Sequence, residues 1–186
     1  MSTPSPASDR PRVYLAGPDV FLPDALEVGE AKKRVCEEHG LVGVFPLDGP
    51  YERLAGLTGH HAGLVAFDIC VELMNSCDLG IANMTPFRGP SMDIGTAVEM
   101  GYLYAQGKPV FGYTNSSHSY RDRVAPDGVM VEPFDLCDNL MAPGTVHRST
   151  GILPVQPPTH DEPPPIGALH VFTECVRHAA AHLARA

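Results

Sequence analysis

CDLGIANMTPFRGPSMDIGTAVEMGYLYAQGKPVFGYT, residues 77–114, decides the fold. It opens on the apolar run LGIANM (79–84), which stops at Thr85-Pro86 and reads as a buried strand. A helical stretch follows over 93–106 and is ended by Gly107. KPVFGYT (108–114) is then a further strand. A strand, a crossover helix and a second strand form the unit from which parallel sheets are built.

The same alternation extends on both sides. RVYLAG (12–17) is short, β-rich and runs straight into Gly17-Pro18, a strand that stops at a turn. Residues 23–39 begin with proline and are followed by Gly40, ordinary helix start and stop signals. LVGVFPL (41–47) is another apolar run, broken at Pro46. Over about 64–76, Leu64, Phe67, Val71 and Met74 recur at helical spacing, and the last helix covers about 167–184. Strands alternating with helices imply a parallel sheet wrapped by helices on both faces. Ligands of such sheets bind beyond the carboxyl ends of the strands, which directs attention to loops 17–22, 46–52, 84–93 and 114–120.

Composition narrows the function. The chain has 186 residues, enough for one domain, with 22 acidic and 13 basic residues and a formal charge of −9. That balance argues against docking on a phosphate backbone, so no nucleic-acid partner is expected. Hydrophobic residues make up 44%, sufficient for a real core. No window approaches the roughly 20 apolar residues of a membrane helix, and the N-terminus carries no signal-peptide pattern, so no membrane partner is expected. The five cysteines (36, 70, 77, 137 and 175) are odd in number, scattered and without a CxxC pair. They predict a reduced, cytoplasmic protein rather than a disulfide framework or a structural zinc site. The 19 prolines are concentrated at the N-terminus and in LPVQPPTHDEPPP. Residues 1–10 therefore read as a disordered tail, and 11–186 as one domain with an irregular, proline-rich surface segment at about 143–165.

Chemistry-bearing residues gather in the opening segment. Asp78 precedes a strand, Asp93 opens a helix and Glu99 lies inside that helix. An aspartate at a helix start ordinarily caps it, and a mid-helix glutamate ordinarily faces water. Glu99, however, has Ala97, Val98, Met100, Gly101 and Tyr102 for neighbours, and a carboxylate in so apolar a stretch needs a partner or a purpose. Gly95 and Gly101 leave room for close approach to the helix. Among the nine histidines, His178 and His182 are four apart, but no acid completes an HExxH-type site. There is no GxSxG elbow, GxGxxG or P-loop pattern. No metal or organic cofactor is expected.

VYLAGPDVF (13–21), the Asp78 of CDLGIANM (77–84), PFRGPSMDIGTAVEMGY (86–102) and DNLM (138–141), taken in this order, resemble the nucleoside 2-deoxyribosyltransferase family. The resemblance runs from about residue 12 to 141 and implies a flavodoxin-like, five-stranded parallel sheet. It implies an enzyme moving a 2-deoxyribosyl group between nucleobases with retention, which calls for two displacements and a covalent intermediate. By match to the motifs, Glu99 is the nucleophile, Tyr14 hydrogen-bonds its carboxylate, and Asp78 is the acid near the departing base. Asp93 recognises a sugar hydroxyl, and Asn139 reaches into the site of a neighbouring subunit, implying a homo-oligomer with shared sites. Phe21, Asp19 and Asp48 lie in the loops that face the base, and Gly17 and Gly95 join the substrate-binding positions. The expected partners are small-molecule nucleosides and nucleobases. The alternative is hydrolysis of deoxynucleosides, or of their 5′-monophosphates as in one branch of the family. That branch carries a small hydroxyl residue where this chain has Asp93, and an ionised aspartate would repel a phosphate. Arg88 and Ser91 are the residues that favour a phosphate.

Overall fold

The computed structural model describes residues 10–158 and 164–185. Four parallel strands form one sheet: β1 (Arg12–Ala16), β2 (Val42–Val44), β3 (Leu79–Asn83) and β4 (Val110–Tyr113), in the order β2-β1-β3-β4. Six helices accompany them: α1 (Ala25–Glu38), α2 (Gly59–Asn75), α3 (Ile94–Ala105), the single turn α4 (Tyr120–Arg123), α5 (Met141–Thr150) and α6 (Leu169–Leu183). Because side chains alternate across a strand, β1 sends Val13 and Leu15 to one face and Tyr14 and Ala16 to the other. The first pair joins Cys36 of α1 and Phe172 and Val176 of α6. The second joins Met74 of α2, Met100 and Leu103 of α3 and Val146 of α5. Both faces are therefore covered, as the strand–helix alternation predicts. The strand order reverses direction between β1 and β3, and a crevice opens there at the carboxyl ends.

The expected fifth strand is reduced to one residue. Beyond β4, Val155 makes a single parallel bridge with Tyr113. Its carbonyl accepts from Thr114 N–H and its own N–H donates to Gly112, both at 2.9 Å. Pro154, Pro157 and Pro158 flank it, and proline has no N–H with which to continue a ladder. The proline-rich stretch also begins differently from expectation: its residues 143–150 belong to α5 (Met141–Thr150) rather than to irregular chain. Pro143 lies in its first turn, where the missing N–H has no partner to lose, and Gly151, at φ 80°, ends it. Residues 159–163 of that stretch, and 1–9 of the expected tail, lie outside the described residues.

Candidate active site

The crevice is built first from the turn after β1. Pro18–Phe21 form a short 3-10 turn, pinned from below by Asp19. Asp19 is fully buried, paired with the equally buried Lys32 of α1 at 2.6 Å, and accepts from the Asn83 amide at 3.0 Å. A Cβ at Gly17 would collide with the Asp19 carboxylate and with Asn83, so glycine is required there. With its base fixed, the turn carries Phe21 outward, 56% exposed, to the rim.

The opposite wall is α3. Asp93 caps it: its Oδ2 accepts from the Thr96 N–H at 2.9 Å and the Thr96 hydroxyl at 3.0 Å. Six residues on, Glu99 faces β1, where the Tyr14 hydroxyl donates to its Oε1 at 2.6 Å. Burial drives the Glu99 carboxyl up to about 7; the Tyr14 hydrogen bond opposes this and the charge of Asp93 adds to it. Burial and the adjacent Glu99 also push the Tyr14 hydroxyl far up, so it remains a donor. A carboxyl poised near neutrality, desolvated and held by one directed hydrogen bond is equipped to act as a nucleophile or base.

Gly17, Phe21, Asp93, Gly95 and Glu99 line one cleft of about 180 Å³. A Cβ at Gly95 would come within 3.0 Å of the Asp93 carboxylate, so its absence keeps that group accessible. The sequence had not singled out two further lining residues, Tyr51 and Cys70. Tyr51 donates to the Pro46 carbonyl at 3.0 Å and lies 3.9 Å from the Cys70 sulfur. Tyr51 falls at the end of the 46–52 loop, so the strand-end rule could have found it. Cys70 lies mid-helix on α2 and carried no such signal. All five cysteines are free, and Cys70 alone among them is not fully buried.

Three expected residues stand elsewhere. Asp78 lies just before β3, at the amino end of the sheet, where its carboxylate accepts from the Arg12 N–H at 2.7 Å. It is exposed and at the opposite end of the sheet from Glu99. Asp48 turns back on its own loop, accepting from the Phe45 N–H at 2.8 Å and pairing with Lys33 at 2.9 Å. Asn139 sits across α3 from Glu99, in a separate groove of about 230 Å³ that includes Ala97, Gly101 and Met141. There its amide donates to Glu132 at 2.5 Å and its carbonyl accepts from the Met141 N–H at 3.1 Å.

The neighbouring Asp138 is an anchor that the sequence did not reveal. It is buried, and accepts from the Ser91 hydroxyl at 2.6 Å and from the N–H groups of Met92 and Asn139 at 2.8 Å each. Arg123 lies 3.7 Å away and donates to the carbonyls of Pro90 and Cys137. These bonds tie the segment before Asp93 to the one carrying Asn139. They also use the Ser91 hydroxyl, which lines the Asn139 groove rather than the Glu99 cleft. Among the described residues, no group of three or more His, Cys, Asp or Glu side chains is arranged to hold a metal. No helix among them is long and apolar enough to cross a membrane.

This geometry can be set beside known proteins. The family model for nucleoside 2-deoxyribosyltransferases matches residues 13–141. An uncharacterised protein of Schizosaccharomyces pombe is 34% identical over 171 residues, covering 78% of this chain and 81% of that protein. Among solved structures, a 2-desoxiribosyltransferase from Leishmania mexicana superposes with a TM-score of 0.59 at 29% identity, over 71% of this chain and 85% of its own. A 2-deoxyribosyltransferase from Bacillus psychrosaccharolyticus, at 20% identity and a TM-score of 0.51 over 73% and 82% of the two chains, shares the fold. The family match spans both β1 with Tyr14 and α3 with Glu99, so the chain belongs to the nucleoside 2-deoxyribosyltransferase family.

Proposed function

We propose that this protein transfers a 2-deoxyribosyl group from one nucleobase to another by double displacement on Glu99. The observation that carries the reading is the hydrogen bond from the buried Tyr14 to Glu99, which lines the cleft at the sheet's switch point. Ionised Glu99 attacks the anomeric carbon; the bond to the base nitrogen breaks and its electron pair leaves with the base. Water at the open side of the cleft gives that nitrogen its proton. A second base then attacks the same carbon through a ring nitrogen, displaces the Glu99 carboxylate and gives its proton to the hydroxide left by the first step, so two inversions give retention. Asp93 has Oδ2 engaged by Thr96, and its Oδ1 accepts from a sugar hydroxyl. Asp78, exposed at the other end of the sheet, takes no part as an acid.

The single-chain cleft of about 180 Å³ is smaller than the roughly 300–1,000 Å³ of typical ligand sites. A second copy of the chain supplies the missing wall in this reading. Asn139 and its exposed neighbours Leu140 and Met141 form the corner that enters it.

Incubating a deoxynucleoside with and without a second free base tests the reaction. New deoxynucleoside appears if transfer operates, whereas release of base with no exchange product would establish the hydrolytic alternative. Mixing Glu99→Ala chains with Asn139→Ala chains tests the shared site. Activity returns in mixed oligomers if Asn139 completes a neighbour's cleft; no return, with subunit exchange demonstrated, refutes that role.

A further inference from the structure

The loop between β3 and α3 contains an arginine with no assigned task. Arg88 occupies the left-handed region, φ 55°, which residues with a side chain seldom adopt. The loop is closed under it by a hydrogen bond from the Phe87 N–H to the Ser91 carbonyl at 3.0 Å. Phe87 stacks on Phe21, ring centroids 5.4 Å apart and planes 13° from parallel. The Arg88 guanidinium stands over both rings, 4.7 Å from the centroid of Phe87 and 5.5 Å from that of Phe21. It makes no hydrogen bond or ion pair with any described residue, so its five N–H donors are uncommitted. Arg123, by comparison, donates to three backbone carbonyls and faces Asp138. Arg88 is thus an exposed fork of donors, held on an aromatic pair at the rim of a cleft whose named lining contains no cation.

We propose that Arg88 reads the nucleobase and selects 6-oxopurines, the hypoxanthine and guanine class. The inference rests on the transfer reading above, which sets the anomeric carbon against Glu99 and so carries the base outward along Phe21. A base stacked on that rim brings its edge to the guanidinium. A 6-oxopurine presents two adjacent acceptors, O6 and N7, which match the two parallel donors of arginine. A 6-aminopurine presents a donor at position 6, and one of the two bonds goes unmade. Discrimination of this kind is strong because a site built to hydrogen-bond one group leaves a polar atom unpaired with the analogue. A phosphate is the poorer occupant for this cleft, since the carboxylates of Asp93 and Glu99 line it.

The test compares wild type, Arg88→Met and Arg88→Lys with deoxyinosine and deoxyadenosine as donors, and with hypoxanthine and adenine in calorimetric binding. Wild type should favour the 6-oxo member of each pair. Arg88→Met should lose about 5- to 150-fold on deoxyinosine, the range of one bidentate base contact, and several-fold less on deoxyadenosine, which has only its N7 bond to lose. Arg88→Lys keeps the charge but not the fork, and should lose the selectivity too. Equal losses on both purines, no loss on either, or an effect confined to 5′-monophosphates would overturn the assignment. Turnover without Arg88-dependent selectivity removes this inference alone. Arg88-dependent hypoxanthine binding without any turnover removes the transfer reading and leaves Arg88 as a base-binding residue.

Discussion

Asp78 and Glu99 are both carboxylates beside the same parallel sheet, and they lead opposite lives. Asp78 precedes β3 at the sheet's amino end, open to water, and is satisfied by one backbone N–H of β1. Glu99 reaches the β1–β3 crevice from α3, sheltered, with Tyr14 as its hydrogen-bond partner and a pKa pushed up to about 7. Water solvates the first at no expense to the fold, whereas desolvation leaves the second dependent on a tyrosine. Strand direction makes the difference: in a parallel sheet every carboxyl end opens on the same side, and only there does the reversal of strand order leave a crevice.

The sharpest way to break this comparison is to remove each acid in turn. Glu99→Ala should lower base exchange by several orders of magnitude with the fold retained, because the proposed covalent step then lacks its nucleophile and the cleft's other carboxylate, Asp93, is held by Thr96 as the cap of α3. Asp78→Asn should leave exchange within about threefold of wild type and cost about 1 kcal/mol of stability at most, the usual size of one such bond. Exchange assays on folded variants decide between them; a large loss for Asp78→Asn would return that residue to the reaction.

A smaller effect is expected at Tyr14. Tyr14→Phe removes the one hydrogen bond to Glu99 and should cost about 1–3 kcal/mol of barrier, or roughly 5- to 150-fold in kcat. Substrate binding should change less. An unchanged kcat would make Tyr14 a packing residue of the core.

The third test concerns pH. In the proposed mechanism Glu99 attacks as a carboxylate, so kcat should fall about tenfold per pH unit well below 7 and level off above it. Stability has the opposite sign. With the folded pKa raised from its ordinary 4.5 to about 7, the unfolded chain ionises first as pH rises through that window, and Glu99 progressively destabilises the fold until both states are charged. Glu99→Gln should therefore raise the melting temperature above pH 7, with the gain shrinking toward pH 4.5. A gain independent of pH would mean that Glu99 is not held near neutrality.

What the sequence revealed follows the same physical line. Strands that are apolar throughout and helices ended by glycine were legible because burial and chain reversal leave local marks, as in LGIANM and at Gly107. Glu99 stood out by its apolar neighbours, and Tyr14 and Asp93 came from motif resemblance. Asp78 was drawn in by the motif although it lies outside every loop that the strand-end rule selects. Cys70 was invisible because its place in the cleft depends on how α2 packs, a long-range fact with no local signature. The helix α5 was hidden by Pro143, since proline density speaks against helix everywhere except in the first turn.

The single bridge at Val155 has a consequence for how these molecules behave in a crowd. An outer strand with free N–H and C=O groups invites a strand from another molecule, and repeated pairing of that kind leads to aggregates. On β4 that invitation is largely withdrawn: the Ser149 hydroxyl accepts from Val110 N–H at 2.7 Å, and Val155 engages Gly112 and Thr114. The guard pairs at one residue and then turns to proline, so it offers no ladder of its own for a stranger to extend. A residue outside the Glu99 cleft thus closes the sheet's margin to its own kind.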